Sequence, residues 1–448
     1  MYCRKMNSFC GSFCFAEFVL NGGYPVITEH TLSNGIRLVV EQQPHFRSVS
    51  LGIWVKVGSA FECKENQGIS HLIEHMLFKG TSGRSSKDIS GLIARIGDDV
   101  NAYTSNEYTC YYGSTLPEFL PELAELFSDM LTDSVFAEEE LAKEKSVVMD
   151  EIDMYNDSPE DLVHEKLQEA VWQGHPLSYL ISGDKTSVEN ISRSDLLAFY
   201  RKYYTGSNMI LSLAGNTGLS GDEIVALFEQ LFSKIQSGKS HESELTRPVY
   251  QATTLQIEKR IEQLHINMAF EAINALSKER YVAGVFNAAF GGSDNSLLFQ
   301  NIREEQGLAY SVYSYQNNYL KSGLFHIDIT VNPKQAARVV ASVIKLISQV
   351  KDTEFSEDVL DVYKNQIKID LIMRSESAKA KMSKNAKDLL YFGTLVPIEE
   401  MIQGILEVTV QDVQAFAKRY LDIKNASLCI VGKLMKKDAK YIDTVFEL

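Results

Sequence analysis

The chain is written twice, and that duplication limits its possible folds more than any other feature. Residues 136–154, FAEEELAKEKSVVMDEIDM, align with 355–373, FSEDVLDVYKNQIKIDLIM, at an offset of 219. Phe136, Leu141, Lys145 and Met154 then meet Phe355, Leu360, Lys364 and Met373. Residues 194–216 align with 411–433 at an offset of 217, where Asp195, Ala198, Phe199, Tyr203, Asn208 and Gly215 recur as Asp412, Ala415, Phe416, Tyr420, Asn425 and Gly432. Two separate segments at nearly one offset imply one structural unit used twice. GIRLVVEQ, VSLGIWVKVGSAFE and NMILSLAGN have the β-branched texture of strands, whereas PEFLPELAELFSDMLTD and FAEEELAKEKSVVMDEIDMY have helical periodicity. The predicted class is α+β: two homologous sandwich-like domains, each a mostly antiparallel sheet packed with helices. The polar, Ser-rich stretch around 233–248 is the natural linker. It divides the chain into an extension (1–25), a first domain (26–235), a linker (236–250) and a second domain (251–448).

A length of 448 residues suits more than one core, and 45% hydrophobic with 23% charged residues is the balance of a soluble protein. A net charge of −15 argues against a nucleic-acid partner, which requires clustered cations. No window of about 18 apolar residues is free of charge, so no membrane span is expected. Near the N-terminus, Arg4 and Lys5 precede a mildly apolar run, but Glu17 interrupts it and no clear cleavage pattern follows. A loose extension is the expectation. Cys3, Cys10 and Cys14 lie in it without zinc-finger spacing. Cys63, Cys110 and Cys429 are scattered through apparent core segments, as reduced cysteines of a cytoplasmic protein would be.

The stretch GISHLIEHMLFKGT (68–81) carries the chemistry. Residues at i, i+3 and i+4 share a helix face, so His71, Glu74 and His75 point together while Leu72, Ile73, Met76 and Leu77 cover the adjacent face. Two imidazoles at i, i+4 can share one Zn²⁺, and the glutamate between them can act as a base at the open position. A buried pair of hydrogen-bonded histidines is the plainer alternative. A catalytic zinc takes a third protein ligand, and Glu144 and Glu151, seven apart on one face of the helix at 137–156, are the acidic candidates. The duplication acts as an internal control. At an offset of 219, His71, His75, Glu144 and Glu151 fall on Phe290, Asp294, Tyr363 and Asp370, so the fold does not require this set.

With these residues in place, the chain resembles the pitrilysin/insulinase (inverzincin, M16-type) family of zinc peptidases, and most of all its short bacterial processing-peptidase-like members. HLIEH has the family's H-x-x-E-H form, and Glu151 lies 76 positions beyond His75, the spacing of the family's third ligand. The resemblance implies a zinc metalloendopeptidase with one Zn²⁺ per chain on His71, His75 and Glu151. Glu74 would be the general base and Glu144 an accessory carboxylate. It further implies a peptide substrate laid along the strand at DVNAYTSNEYTCYYGS through Asn101 and Ala102, and an Arg/Tyr pair seven apart that matches Arg303 and Tyr310. A helix N-cap near Asn295 and a stop at Gly307 would frame Arg303. GDDVNA departs from the family's paired glycines, so Asp98 and Asp99 are expected to alter the turn or favour basic substrate residues. Leu297 stands where the family often has Arg. One chain supplies half of the family's chamber, which implies a homodimer in which Arg303 and Tyr310 serve the partner's site. The contrasting expectation is a non-catalytic scaffold or subunit of a hetero-oligomeric processing peptidase.

Overall fold

The computed structural model describes residues 26–353 and 355–446; the N-terminal extension lies outside the described residues. The first sheet contains β1 (Val26–Thr31), β2 (Arg37–Gln42), β3 (Val49–Val55), β4 (Val100–Thr104), β5 (Thr109–Thr115) and β6 (Met209–Gly215), in the order β1-β2-β6-β3-β5-β4. The second contains β7 (Thr254–Ile257), β8 (Leu264–Glu271), β9 (Ala309–Asn318), β10 (Gly323–Val331) and β11 (Ser427–Val431), in the order β7-β11-β8-β10-β9. Each sheet is antiparallel except at one pair, β2 with β6 and β7 with β11. The second order is the first with β1 removed, so the repeat in the sequence is a repeat of topology. The α+β class and the two mostly antiparallel sheets agree with the expectation.

The same local devices recur at the repeat offset. Helix starts at Ser192 and Thr409 each carry a capping box closed by an aspartate three residues on, Asp195 and Asp412. β6 ends on, and β11 is followed by, a glycine in the left-handed region, Gly215 (φ 118°) and Gly432 (φ 120°). A Cβ on Gly215 would come within 2.4 Å of the Ser48 carbonyl oxygen, so a side chain is excluded there by contact as well as by backbone angle.

Helices α1 (Ile69–Leu77), α2 (Ser86–Ile96), α3 (Leu120–Asp133), α4 (Glu138–Asp157), α5 (Pro159–Val171), α6 (Lys185–Asn190), α7 (Arg193–Tyr203) and α8 (Gly221–Phe232) belong to the first half. The second half adds α9 (Arg280–Phe290), α10 (Ala336–Asp352), α11 (Glu357–Arg374), α12 (Ala378–Tyr391), α13 (Ile398–Leu406) and α14 (Val410–Tyr420). Alternation along each strand sends side chains to opposite faces. Leu38, Val40, Leu51 and Ile53 meet Leu72, Ile73, Met76 and Phe127 of the first half's own helices. On the other face, Val39, Trp54 and Ile210 meet Met382, Ala386 and Leu389 of α12, a helix from the second half. The exchange is reciprocal: Val163, Leu167 and Val171 of α5 pack with Ala269, Cys429 and Val431 of the second sheet. Each half therefore lends the other the helix that closes its sheet.

The segment between the halves is packed rather than loose. His241 is buried, its Nδ1 2.8 Å from Glu244 Oε1, and Tyr203 donates its hydroxyl to Glu244. Cys110 and Cys429 are buried and unpaired as expected. Cys63 departs from its expected core position: it is exposed, because it opens a polar turn in which its N–H is bonded to Asn66. Among the described residues no helix is long and apolar enough to cross a membrane.

Candidate metal centre

Two helices carry the site, α1 largely buried and α4 with one face buried. α1 begins at Gly68 (φ 87°), where a Cβ would strike the Ser182 carbonyl oxygen at 2.5 Å. Its first amides are held by a carboxylate just upstream: Glu62 accepts the N–H of Gly68 at 2.7 Å and of Ser70 at 2.9 Å. Burial pushes Glu62 up to about 7, against the pull of those N–H groups. Ile69, Leu72, Ile73, Met76 and Leu77 are buried in the first core, which leaves His71, Glu74 and His75 on the opposite face. α4 crosses α1 with Leu141, Val148 and Ile152 in the same core, and turns Glu144 and Glu151 toward the histidines.

The Nε2 atoms of His71 and His75 each lie 3.7 Å from Glu151 Oε2, and one ligand atom from each of the three residues falls within 4.8 Å of the others. A distance of 3.7 Å is too long for a hydrogen bond, so the three donors do not satisfy one another. Two ligands about 2.0–2.2 Å from one tetrahedral ion sit roughly 3.4 Å apart, so a cation of zinc size fits between them with small adjustment. Ring protonation also favours a cation there. Burial, and then the neighbouring His75, push His71 down to about 4, which keeps that imidazole neutral. His75 gives its Nδ1–H to Glu144 Oε2 at 3.1 Å, which turns the Nε2 lone pair toward the cluster. Glu144 is itself buried, and its other oxygen receives the Lys79 ammonium at 2.8 Å. Two imidazoles and one carboxylate form a zinc donor set with room for a fourth position.

Glu74 stands beside this cluster. Burial pushes its carboxyl up, and a hydrogen bond from the Thr104 hydroxyl at 2.5 Å opposes the shift. One cleft is lined by His71, Glu74, Ala102, Tyr103 and Thr104, together with His164 and Glu165 of α5. Burial pushes Glu165 up to about 7.

The strand β4 is an edge of the first sheet. Ser105 N–H bonds Tyr108 O and Ser114 N–H bonds Asp99 O. In antiparallel alternation this turns the backbone groups of Val100, Ala102 and Thr104 to the free edge. Asn101 lies on that edge strand with its Oδ1 accepting the N–H of Ala102 at 2.8 Å. Asp98 takes φ 57° where a glycine is usual, and Asp99 is paired with Lys379 of α12 at 3.2 Å, so its charge is directed to the chain itself.

Arg303 and Tyr310 lie elsewhere. Arg303 sits in a π-helical turn (Phe299–Glu305) with its guanidinium 4.6 Å from the centre of the Phe299 ring, and Gly307 (φ 58°) ends the turn as expected. The carbonyl of Ser296, next to Asn295, accepts the N–H of Gln300. Tyr310, near the start of β9, is 72% exposed, and neither residue lines the cleft that holds His71 and Glu74. The structure thus gathers His71, Glu74, His75, Glu144 and Glu151, places Asn101 and Ala102 on the adjoining edge, and leaves Arg303 and Tyr310 apart from them. Sequence reasoning missed Lys79, Thr104 and Glu62. Lys79 stands four residues past His75 and Thr104 two past Ala102, so helical and strand spacing held both signals.

Residues 37–185 match the pattern that defines the family Insulinase (Peptidase family M16), and 190–367 match its Peptidase M16 inactive domain. A Bacillus subtilis protein, the uncharacterized zinc protease YmxG, is 36% identical over 394 residues, covering 88% of this chain and 95% of that protein. An uncharacterized zinc protease of Streptomyces coelicolor is 32% identical over 424 residues, covering 93% of this chain and 92% of that one. In structure, a protease from Helicobacter pylori superposes with a TM-score of 0.84 at 21% identity, over 91% of this chain and all of the other. An M16 inactive domain from Pseudomonas fluorescens superposes at 0.85 and 19%, over 91% and 98%; these two show a shared fold. Matched in both halves, and more than 30% identical to its relatives along nearly their whole length, the chain belongs to peptidase family M16.

Proposed function

We propose that this protein is a zinc-dependent endopeptidase that cleaves unfolded peptides or extended precursor segments, with one zinc per chain on His71 Nε2, His75 Nε2 and Glu151. Membership of family M16 and relatives named zinc proteases support the coarser reading of a zinc peptidase. One observation carries the finer one: two imidazoles and a carboxylate converge within 4.8 Å, with Glu74 beside His71 in one cleft.

Zinc in that position supplies a Lewis acid for the scissile carbonyl and lowers the pKa of a water. The chain's own residues supply the rest. Glu74 takes the proton of the attacking water and passes it to the leaving amine. Its partly desolvated carboxyl suits that exchange, because burial brings its affinity for the proton upward. Glu144 holds the His75 ring in one tautomer. Val100, Ala102 and Thr104 offer backbone donors and acceptors to an extended peptide, which would join the sheet as a further strand. Such a strand would have to displace Asn101 Oδ1 from the Ala102 N–H.

Arg303 and Tyr310 are assigned to a partner chain's site in a homodimer that closes a chamber. Their exposure, and their position outside their own chain's cleft, support this. The decisive experiment measures cleavage of a quenched fluorescent peptide by wild type and Glu74→Gln, with zinc content determined for both. Cleavage by wild type alone at equal zinc content is expected. Equal cleavage by both removes Glu74 from the mechanism, and absence of zinc from both removes the ligand set.

A further inference from the structure

Thr104 lies where two functions meet. Its hydroxyl is the one hydrogen-bond donor to the Glu74 carboxylate among the described residues. Its backbone N–H and C=O, by the alternation described above, open onto the free edge of β4. The terminal torsion of a glutamate is broad and roughly two-fold, so an untied carboxylate samples many orientations. A threonine on a strand is restricted at χ1 by its branched Cβ and presents its hydroxyl from a fixed place. Glu74 is thereby tied through Oε2, which leaves Oε1 as the oxygen free to handle a proton.

We infer that Thr104 is a positioning residue, which sets the orientation of Glu74 from the strand edge where a peptide would dock. This rests on the peptidase reading and deepens it: the residue whose backbone would pair with substrate also aims the base. Peptide docking and base alignment are then linked through one side chain. A peptide that pairs with the edge at Thr104 steadies the anchor of Glu74 as it binds. The role is distinct from that of Glu144, which acts on a metal ligand.

The test uses Thr104→Val, which keeps the branched shape and removes the donor, and Thr104→Ser, which keeps the donor and removes a methyl group. With zinc content unchanged, Thr104→Val is expected to lower kcat by about 10- to 100-fold while KM moves less than about twofold. Thr104→Ser is expected to recover most of the activity. A readout independent of turnover is a double-mutant cycle on thermal midpoint with Glu74→Met. The double variant should depart from the sum of the single shifts by more than about 2 °C, as expected where a charge-assisted hydrogen bond is lost. Wild-type kcat in Thr104→Val, no recovery in Thr104→Ser, or an additive cycle in a chain that cleaves peptide overturns the role alone. A wild-type chain that binds zinc and cleaves no peptide overturns the peptidase reading, and this role falls with it.

Discussion

His75 and Glu144 are joined across two helices: Nδ1 of the ring lies 3.1 Å from Oε2 of the carboxylate, which leaves Nε2 to face Glu151 at 3.7 Å. In the proposed zinc site Glu144 would therefore act through a ligand without being one. Replacing it with Gln weakens the acceptor and makes the ring tautomer less certain, so zinc affinity should fall about 10- to 100-fold. Glu144→Ala should also leave Lys79 without its carboxylate at 2.8 Å. Competition against a chromophoric chelator reads the affinity directly. Unchanged affinity in both variants would show that the ring is held by other means.

Zinc should also register as stability. Both helices of the site are anchored by apolar residues in the first core, so the chelated chain should stay folded with a lower thermal midpoint. At a hundredfold excess over Kd the ion contributes about 2.7 kcal/mol. Glu151→Gln removes the one carboxylate of the proposed ligand set, so its midpoint should be nearly insensitive to added zinc in differential scanning fluorimetry. A full zinc shift in that variant would place the ion elsewhere.

The exchanged helices make a different demand. Leu389 of α12 is 1% exposed, packed on the first sheet beside Trp54 and Met382, although α12 belongs to the second half of the sequence. Leu389→Ala should cost about 2–5 kcal/mol through lost burial and the remaining cavity. Because each half closes the other's sheet, calorimetry should show both halves losing stability together. A lowered transition for one half, with the other unmoved, would show that the exchange does not couple them.

Much of this architecture is legible in the sequence. The i, i+3, i+4 spacing put His71, Glu74 and His75 on one face, and the repeat offset foretold two sheets of one topology. The same offset shows that the fold manages without the full His/Glu set, since Tyr363 is buried in its copy where Glu144 stands in the first. What stayed hidden depends on distant pairing. An amphipathic pattern tells that α5 and α12 bury one face, but not on which sheet they do so. In sequence Asp99 has no cationic neighbour to occupy it, but α12 brings Lys379 against it from 280 residues away. Cys63 has the sequence context of a core residue, following an apolar strand-like run, whereas the polar residues after it form an exposed turn.

Acid should destabilise the chain through a second polar cluster, at the contact between α5 and the second sheet. His326 is fully buried on β10, stacked on Tyr315 at 4.6 Å, with Nδ1 bonded to Asn267 at 2.9 Å. Burial, and then the proximity of His164, push it from 6.5 down to about 3. His164 itself reaches across from α5 to Asp328 at 2.9 Å, while Asn267 also bonds Asp328. With its folded pKa depressed, His326 contributes nothing unfavourable above about pH 6.5. As pH falls from there toward 3, the unfolded chain binds a proton that the folded chain refuses, and stability is lost through that window. Carboxylates titrate in the lower part of the same range, so the contribution is read by difference. His326→Phe keeps a ring against Tyr315 and cannot take the proton. Its thermal midpoint should be lower at pH 7, from the lost bond to Asn267, yet should decline less steeply than wild type between pH 6.5 and 4. Parallel declines in the two proteins would mean that the histidine is not the group that responds.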